Sequence, residues 1–285
     1  MNEQIQKVTY YIENHLDEEL DVKTLAKVAG YSPFHFCRIF KIHIGESAMS
    51  YATRLKLERA AGELTFGKKS MIEVALDAGF QTPTGFLKAF KKRFGTTPTE
   101  YKSGTEVLLE RYKEIKMNTP KIVEREATDV VFVRELGDYK VSSQKAWEKL
   151  SAQMHGLEEK FKKTPPQCEM TLGVGQGEAF GICHDDPQIA DEKNMRYDAA
   201  LAWGTEEVKE LKKYGFETKS IVGGRYAMVF YRGASNSEDS WYGLYRWIEE
   251  NGYSCRDEPS FEKYLNAATE TDMNNFETEV YVPIV

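Results

Sequence analysis

The chain is poor in cysteine, has no long apolar run, and carries no cysteine pair at metal-ligating spacing. Its thiols are Cys37, Cys168, Cys183 and Cys255. None forms a CxxC pair, and they lie too far apart for a local zinc site or a small disulfide scaffold. Scattered thiols of this kind suit a reducing compartment. A membrane helix needs about 18 or more apolar residues in a row, and no segment approaches that length. The start, Met1-Asn2-Glu3-Gln4, lacks the basic and then apolar segment of a secretory signal, so a cytoplasmic location is expected. There is no Ser-His-Asp spacing, no HExxH, and no glycine loop with a phosphate-binding lysine. Gly173, Gly175 and Gly177 alternate without such a lysine and read as turn chemistry. No catalytic residue, metal or cofactor is therefore expected.

What is present is globular. With 285 residues, the chain is long enough for two domains at roughly 100–200 residues each. A content of 41% hydrophobic and 12% aromatic residues allows each to bury its own core. The net charge of −7 hides an asymmetry: residues 1–105 hold 15 Lys and Arg against 12 Asp and Glu, while the remainder holds 23 against 33. A basic first third on an acidic chain hints that one domain meets a polyanion and the other does not.

From Glu3 to Tyr101 the apolar spacing is that of helices, as in Ile5, Val8, Tyr11 and Leu16, with breaks at glycines. About seven helices are expected. Within them a unit is stated twice. Leu25-Ala26-Lys27-Val28-Ala29-Gly30-Tyr31-Ser32-Pro33 is echoed by Val74-Ala75-Leu76-Asp77-Ala78-Gly79-Phe80-Gln81-Thr82-Pro83, and Phe36, Phe40, Gly45 and Tyr51 return as Phe86, Phe90, Gly95 and Tyr101. Each copy predicts a short helix, a glycine in the turn, a hydroxyl N-cap, proline in the first helical turn, and a second helix. That is a helix-turn-helix. Two hairpins in an ordinary helical domain would not account for the charge: Lys88, Lys91, Lys92 and Arg93 fall on the second helix of the second copy with no acid among them, and Arg38 and Lys41 take matching places in the first. Such side chains neutralise phosphates, and a helix about 10–12 Å across fits the major groove. If the two second helices stood about 34 Å apart, one chain would enter two successive grooves. The segment Ser47–Leu64 could be the rod that sets their separation.

Residues 5–102 also resemble the AraC/XylS-type DNA-binding domain. The closing phrase Gly79-Phe80 … Phe86-Leu87-Lys88-Ala89-Phe90-Lys91-Lys92-Arg93-Phe94-Gly95-Thr96-Thr97-Pro98 … Tyr101 carries the likeness. By position, the resemblance implies base-facing places at Phe34, Cys37 and Arg38 in the first copy, and at Pro83, Thr84, Gly85 and Lys88 in the second. Arg38 could pair with a guanine, while Phe34 and Cys37 offer apolar contact. Pro83 and Gly85 depart from the family's usual polar residues, so the second helix is expected to supply phosphate affinity more than base discrimination. His35 reads as an ordinary helix residue.

A charged stretch ending in Asn118-Thr119-Pro120 predicts a linker over 106–120 between domains at 1–105 and 121–285. Beyond it the period shifts from 3.6 to 2. Strands are predicted at 130–133, 178–183 and 197–203, and again at 224–231, 261–265 and 276–284. Each group holds one amphipathic helix, at 142–157 with Trp147 and Leu150, and at 239–250 with Trp241 and Leu244. The fold class expected is thus an all-α double helix-turn-helix followed by an α+β domain of two β-α-β-β repeats with antiparallel sheet.

This second part resembles the GyrI-like effector-binding domain of multidrug-responsive regulators. The likeness rests on Gly223-Gly224-Arg225-Tyr226-Ala227, on Trp241 with Leu244, on Phe261-Glu262-Lys263-Tyr264-Leu265, and on Glu279-Val280-Tyr281-Val282-Pro283-Ile284. The resemblance implies that Glu262 points into an aromatic pocket between the repeats and faces lipophilic cations. On a strand, Glu262 and Tyr264 project to one face. A carboxylate among aromatic rings is costly to ionise unless a cation joins it, and an organic cation gains cation–π contact there. Tyr139, Phe180, Tyr226 and Tyr281 are further candidates for the pocket, although core packing would explain them equally.

The expected function is that of a transcription regulator whose partners are double-stranded promoter DNA, a small lipophilic or cationic effector and, for transcription, RNA polymerase. Two alternatives compete. Glu262 could serve as general acid or base in a small-molecule hydrolase, or the acidic domain could be a protein-binding adaptor.

Overall fold

The computed structural model describes residues 3–67, 69–110, 117–161, 178–266 and 272–285. The linker residues 111–116 and the glycines at 173, 175 and 177 lie outside them. The chain divides into two compact units, Met1–Val107 and Leu108–Val285.

The first unit is helical: α1 (Glu3–Asn14), α2 (Val22–Ala29), α3 (Pro33–Ile44), α4 (Ala48–Phe66), α5 (Met71–Asp77), α6 (Pro83–Phe94) and α7 (Pro98–Glu110). The stop and start signals sit where the sequence puts them. Gly30 ends α2 at φ +69°, and its N–H reaches the carbonyls of Ala26 and Lys27. The Ser32 hydroxyl then accepts from the His35 N–H, and Thr82 accepts from the Gly85 N–H in the second copy. Gly45 and Gly95 end α3 and α6 at φ +87° and +77°, conformations that would strain any residue with a Cβ. Each second helix buries one stripe: Phe36 meets Phe40, which packs against Tyr51, and Phe86 meets Phe90, which packs against Tyr101. Helix α4 belongs to both copies. Its N-terminal half closes the first core through Ala48, Tyr51, Ala52 and Leu55. Leu57, Ala60, Ala61 and Leu64 are buried farther along it.

The second unit runs β1 (Lys121–Arg125), β2 (Thr128–Leu136), α8 (Tyr139–Phe161), β3 (Ala179–Cys183), β4 (Arg196–Ala202), α9 (Thr205–Lys213), β5 (Glu217–Ile221), β6 (Gly224–Arg232), α10 (Ser237–Glu250), β7 (Ser260–Tyr264) and β8 (Glu277–Pro283). The two β-α-β-β repeats are β2-α8-β3-β4 and β6-α10-β7-β8. All strands join one antiparallel sheet in the order β1-β6-β8-β7-β3-β4-β2-β5. Sequence reasoning did not anticipate β1, β5 and α9. Both strands are short, charged and at an edge, where side chains keep contact with water and the alternation of apolar residues fades.

The order forces the sheet to curl. Six strand spacings of about 4.8 Å would hold β1 roughly 29 Å from β2 in a flat sheet, yet the three-residue step from Arg125 to Thr128 reaches about 10 Å at most. The step from Ile221 to Gly224 bridges β5 and β6 under the same constraint. The two links pack together: a Cβ added at Gly223 would fall 2.8 Å from the Ala127 backbone nitrogen.

Directly paired residues share a face, and the row Val280, Glu262, Gly181, Ala199, Val133 crosses the sheet on one side. Helix α8 covers one end of that face, packing Ala146, Leu150 and Met154 on Val131 and Ala199. Helix α10 covers the other, packing Leu244 and Ile248 on Val229 and Val280. Helix α8 lies on β2 and β4 and helix α10 on β6 and β8, so β7 and β3 are the strip of that face between the two helices, the floor of the candidate cleft.

Candidate functional site

In the first unit the sequence-derived positions fall on the outer faces of α3 and α6. Phe34, Cys37, Arg38 and Lys41 are exposed on α3, and Thr84, Lys88, Lys91 and Lys92 on α6, with Gly85 half-buried. Phe34 keeps 76% of its surface in water and Ile42, which the sequence did not single out, keeps 70%. Two large apolar groups left in water beside Arg38 and Lys41 make α3 a mixed surface, suited to methyl groups as well as phosphates. His35 is exposed and meets Tyr31 edge-on at 4.8 Å.

Arg93 departs from the set. Its Nη2 donates to Glu58 Oε1 at 2.8 Å, and its guanidinium lies 5.1 Å from the Phe94 ring centre. The expected basic cluster on α6 is thus three lysines. The last turn of α6 meets α4, and that contact draws the arginine inward.

In the second unit Glu262 lies on the cleft floor. Its Oε1 accepts from Tyr231 Oη at 2.9 Å, Trp241 Nε1 at 2.9 Å and Ser237 Oγ at 3.3 Å, and its Oε2 accepts from Tyr264 Oη at 2.9 Å. Tyr264 in turn stands 2.9 Å from Tyr197 Oη, which accepts from Trp147 Nε1 at 3.1 Å. An indole can only donate, and Tyr264 has given its proton to Glu262, so the relay has one direction: Trp147 to Tyr197 to Tyr264 to Glu262. Burial, followed by the neighbouring Glu262, lifts the Tyr231 hydroxyl well above the ordinary tyrosine range. Tyr264 is raised by burial and then by Tyr197 and Glu262. Both phenols therefore remain donors at neutral pH.

Gly181 makes room for this array. A Cβ there would lie 2.3 Å from Tyr264 Oη and 2.4 Å from Tyr197 Oη. Sequence reasoning named Glu262 and Tyr264 together, and the structure joins them. It did not place Tyr197, Tyr231 and Gly181 at the cleft, and it read Trp147 and Trp241 as packing residues. The recurrence of a tryptophan on the helix of each repeat was the signal available.

The other expected aromatics are elsewhere. Tyr139 stands one ring behind the cleft, 6.0 Å from Tyr197, with its hydroxyl donating to the Asp185 carbonyl and accepting from the Asp185 N–H. Phe180, Tyr226 and Tyr281 gather with Phe261 on the opposite, inner face of the curled sheet. There Arg125 stacks 4.8 Å from the Tyr281 ring centre and pairs with Glu178. These three are core residues separated from Glu262 by the sheet itself. Each belongs to a position of opposite parity in the strand register.

The inner face also holds a buried charge cluster. Asp198, with no exposed surface, accepts both prongs of Arg134 at 2.6 and 2.9 Å, and also meets His184 Nε2 at 2.7 Å and Lys219 Nζ at 2.5 Å. Burial alone would raise its pKa, but Arg134, Lys219 and His184 outweigh it and hold the carboxylate well below its ordinary value. Burial, reinforced by Arg134, lowers the His184 pKa to about 4.

Residues 118–285 match the family described as the GyrI-like small molecule binding domain, and residues 25–104 match a helix-turn-helix domain. The chain belongs to the GyrI-like family, with an AraC-type helix-turn-helix domain ahead of it. It is 34% identical over 117 residues to the uncharacterized HTH-type transcriptional regulator YbfP of Bacillus subtilis, covering 40% of each chain. It is 32% identical over 102 residues to the right origin-binding protein of Escherichia coli, covering 36% of this chain and 35% of that one. The chain thus spans well under half the length of these two relatives. Among solved structures, the C-terminal domain of EcmrR aligns with 59% of this chain and 97% of its own, at 20% identity and a TM-score of 0.42. Among the described residues of this GyrI-like chain, no helix is long and apolar enough to cross a membrane, and no group of three or more acidic, histidine or cysteine side chains is placed to hold a metal.

Proposed function

We propose that the protein is a transcription regulator that grips duplex DNA with α3 and α6 and senses a small lipophilic cation in the cleft between α8 and α10. The observation that carries the sensing half is Glu262, a carboxylate set among Trp241, Tyr231 and Tyr264 on the floor between two helices. An entering cation meets a negative charge already oriented by four donors, with indole and phenol rings close by. Because α8 and α10 border the cleft, an occupant that favours one of their spacings shifts the domain's populations, and through them DNA binding or polymerase contact. On the DNA side, Arg38 and Phe34 read bases while Lys41, Lys88, Lys91 and Lys92 meet phosphates. Cys37, Thr84 and Gly85 complete the contact surface.

Two measurements test this reading. Band shifts on the chain's own promoter region should weaken steeply as salt rises; affinity indifferent to salt would contradict a phosphate-anchored grip. Fluorescence titration with a lipophilic cationic dye should show saturable binding, without turnover of the dye, that Glu262→Gln lowers at least tenfold.

A further inference from the structure

Four charged side chains form a continuous chain from the end of α3 to the end of α6. Glu46, just past the Gly45 cap of α3, accepts from Arg54 Nε at 2.9 Å. Arg54, on α4, donates through Nη1 to Glu58 Oε2 at 3.0 Å, one turn farther along the same helix. Glu58 Oε1 then accepts from Arg93 in the last turn of α6 at 2.8 Å. The central pair is buried, with Arg54 10% and Glu58 7% exposed. Both guanidinium groups also lie over rings, Arg54 5.0 Å from the Tyr51 centre and Arg93 5.1 Å from that of Phe94. A second tie runs alongside. Arg59 Nη2 donates to Asp17 Oδ1 at 2.6 Å and to the Asp77 carbonyl at 3.2 Å, joining the segment after α1 to the end of α5.

A buried ion pair is a poor source of stability, since packed apolar residues of similar volume often do as well or better. What charged groups provide is direction: Glu58 Oε2 takes Arg54 Nη1, while Oε1 takes Arg93 Nη2 and, at a longer 3.4 Å, Arg54 Nη1 as well, so the carboxylate is gripped from both helices and the partners are held at one angle and one distance. An apolar seam between α4 and α6 would permit sliding. We infer that the Glu46–Arg54–Glu58–Arg93 chain is a strut that fixes the separation and angle of α3 and α6, and so sets the base-pair spacing between the two DNA segments the protein accepts. Glu58 is its central positioning residue, acting through α4 and α6 and touching no DNA. This rests on the reading that α3 and α6 enter DNA.

The test uses the full-length wild-type chain to select its preferred duplex from a random-sequence pool. Footprinting marks the two contacted segments, and duplexes are made with one base pair added or removed between them. Each such change rotates one segment against the other by about 35° and shifts it by about 3.4 Å. Wild type is expected to lose at least tenfold in affinity for either altered duplex. Glu58→Gln is expected to bind the selected duplex more weakly and to lose threefold or less on the altered ones. Glu46→Gln, at the more exposed outer link, should fall between and decides the matter if Glu58→Gln does not fold. Simple loss of folded protein would scale all duplexes by one factor and leave the spacing penalty intact, so only the ratio reports the strut. A wild-type penalty retained in full by the folded variants, or a wild type that tolerates every spacing, overturns the inference. Failure of the wild type to show salt-dependent binding to any duplex would instead overturn the DNA-binding reading beneath it.

Discussion

Tyr264 lies two residues along β7 from Glu262 and donates its hydroxyl proton to it across 2.9 Å, while its own oxygen faces Tyr197 at the same distance. Removing that hydroxyl orphans an acceptor on one side and a donor on the other. Tyr264→Phe should therefore destabilise the second unit by about 1–3 kcal/mol, since buried polar groups lose their partners. Chemical denaturation checks this, and the variant should also bind a cationic dye more weakly because Glu262 is no longer held in place.

Gly181 gives a sharper probe of the same array. Gly181→Ala places a methyl within 2.3 Å of the Tyr264 oxygen, so one phenol must move. A cost of about 1–3 kcal/mol is expected, as for other overpacked sites, together with a clear loss of dye affinity. A variant as stable and as dye-competent as wild type would show that the two phenols are not needed where they stand.

On the DNA side, phosphate binding and base reading separate by experiment. Replacing Lys88, Lys91 and Lys92 with alanine should flatten the plot of log affinity against log salt by about 0.9 for each phosphate that no longer meets a lysine, with sequence preference retained. Arg38→Ala should instead relax preference at one position of the selected site, at about 1–3 kcal/mol of discrimination. Equal weakening on all sequences for Arg38→Ala would assign that residue to the backbone.

The Asp198 cluster predicts acid sensitivity. His184 is held neutral in the fold with its pKa lowered to about 4, whereas the unfolded chain takes up that proton near pH 6.5. The unfolded state thus binds more protons in this window, and stability falls as pH drops from about 6.5 toward 4. Asp198, depressed well below its ordinary value, adds a further loss at lower pH, as its carboxylate protonates. Thermal melts across pH 7 to 4.5 should show this decline, and His184→Gln should make it shallower below about pH 6.5.

The sequence made the helix-turn-helix pair legible nearly residue by residue, because glycine, hydroxyl and proline each have a backbone reason for their place around Gly30-Tyr31-Ser32-Pro33 and its echo. The strands of the second unit were legible where apolar alternation is strong, as in β2 and β6. What stayed hidden was parity. Phe180 and Tyr281 look as eligible for a pocket as Tyr264, and only the register, with Gly181 opposite Glu262 and Tyr281 opposite Phe261, assigns them to opposite faces. Arg93 was hidden for a related reason: a cationic side chain on a helix end serves a phosphate or a buried carboxylate equally well, and the partner Glu58 lies on another helix.

The exchange of edge strands has a consequence for how this unit can be divided. Strand β1 comes before the first repeat yet zips onto β6 of the second, and β5 comes before the second yet zips onto β2 of the first. Cut at the midpoint, each half would carry away a ribbon whose mate stays behind, leaving two raw margins of unmet amides. Such halves would find one another, or a second copy of themselves, before they would stand alone. The duplication therefore works as a clasp, and the acidic cleft is seated where its two arms cross.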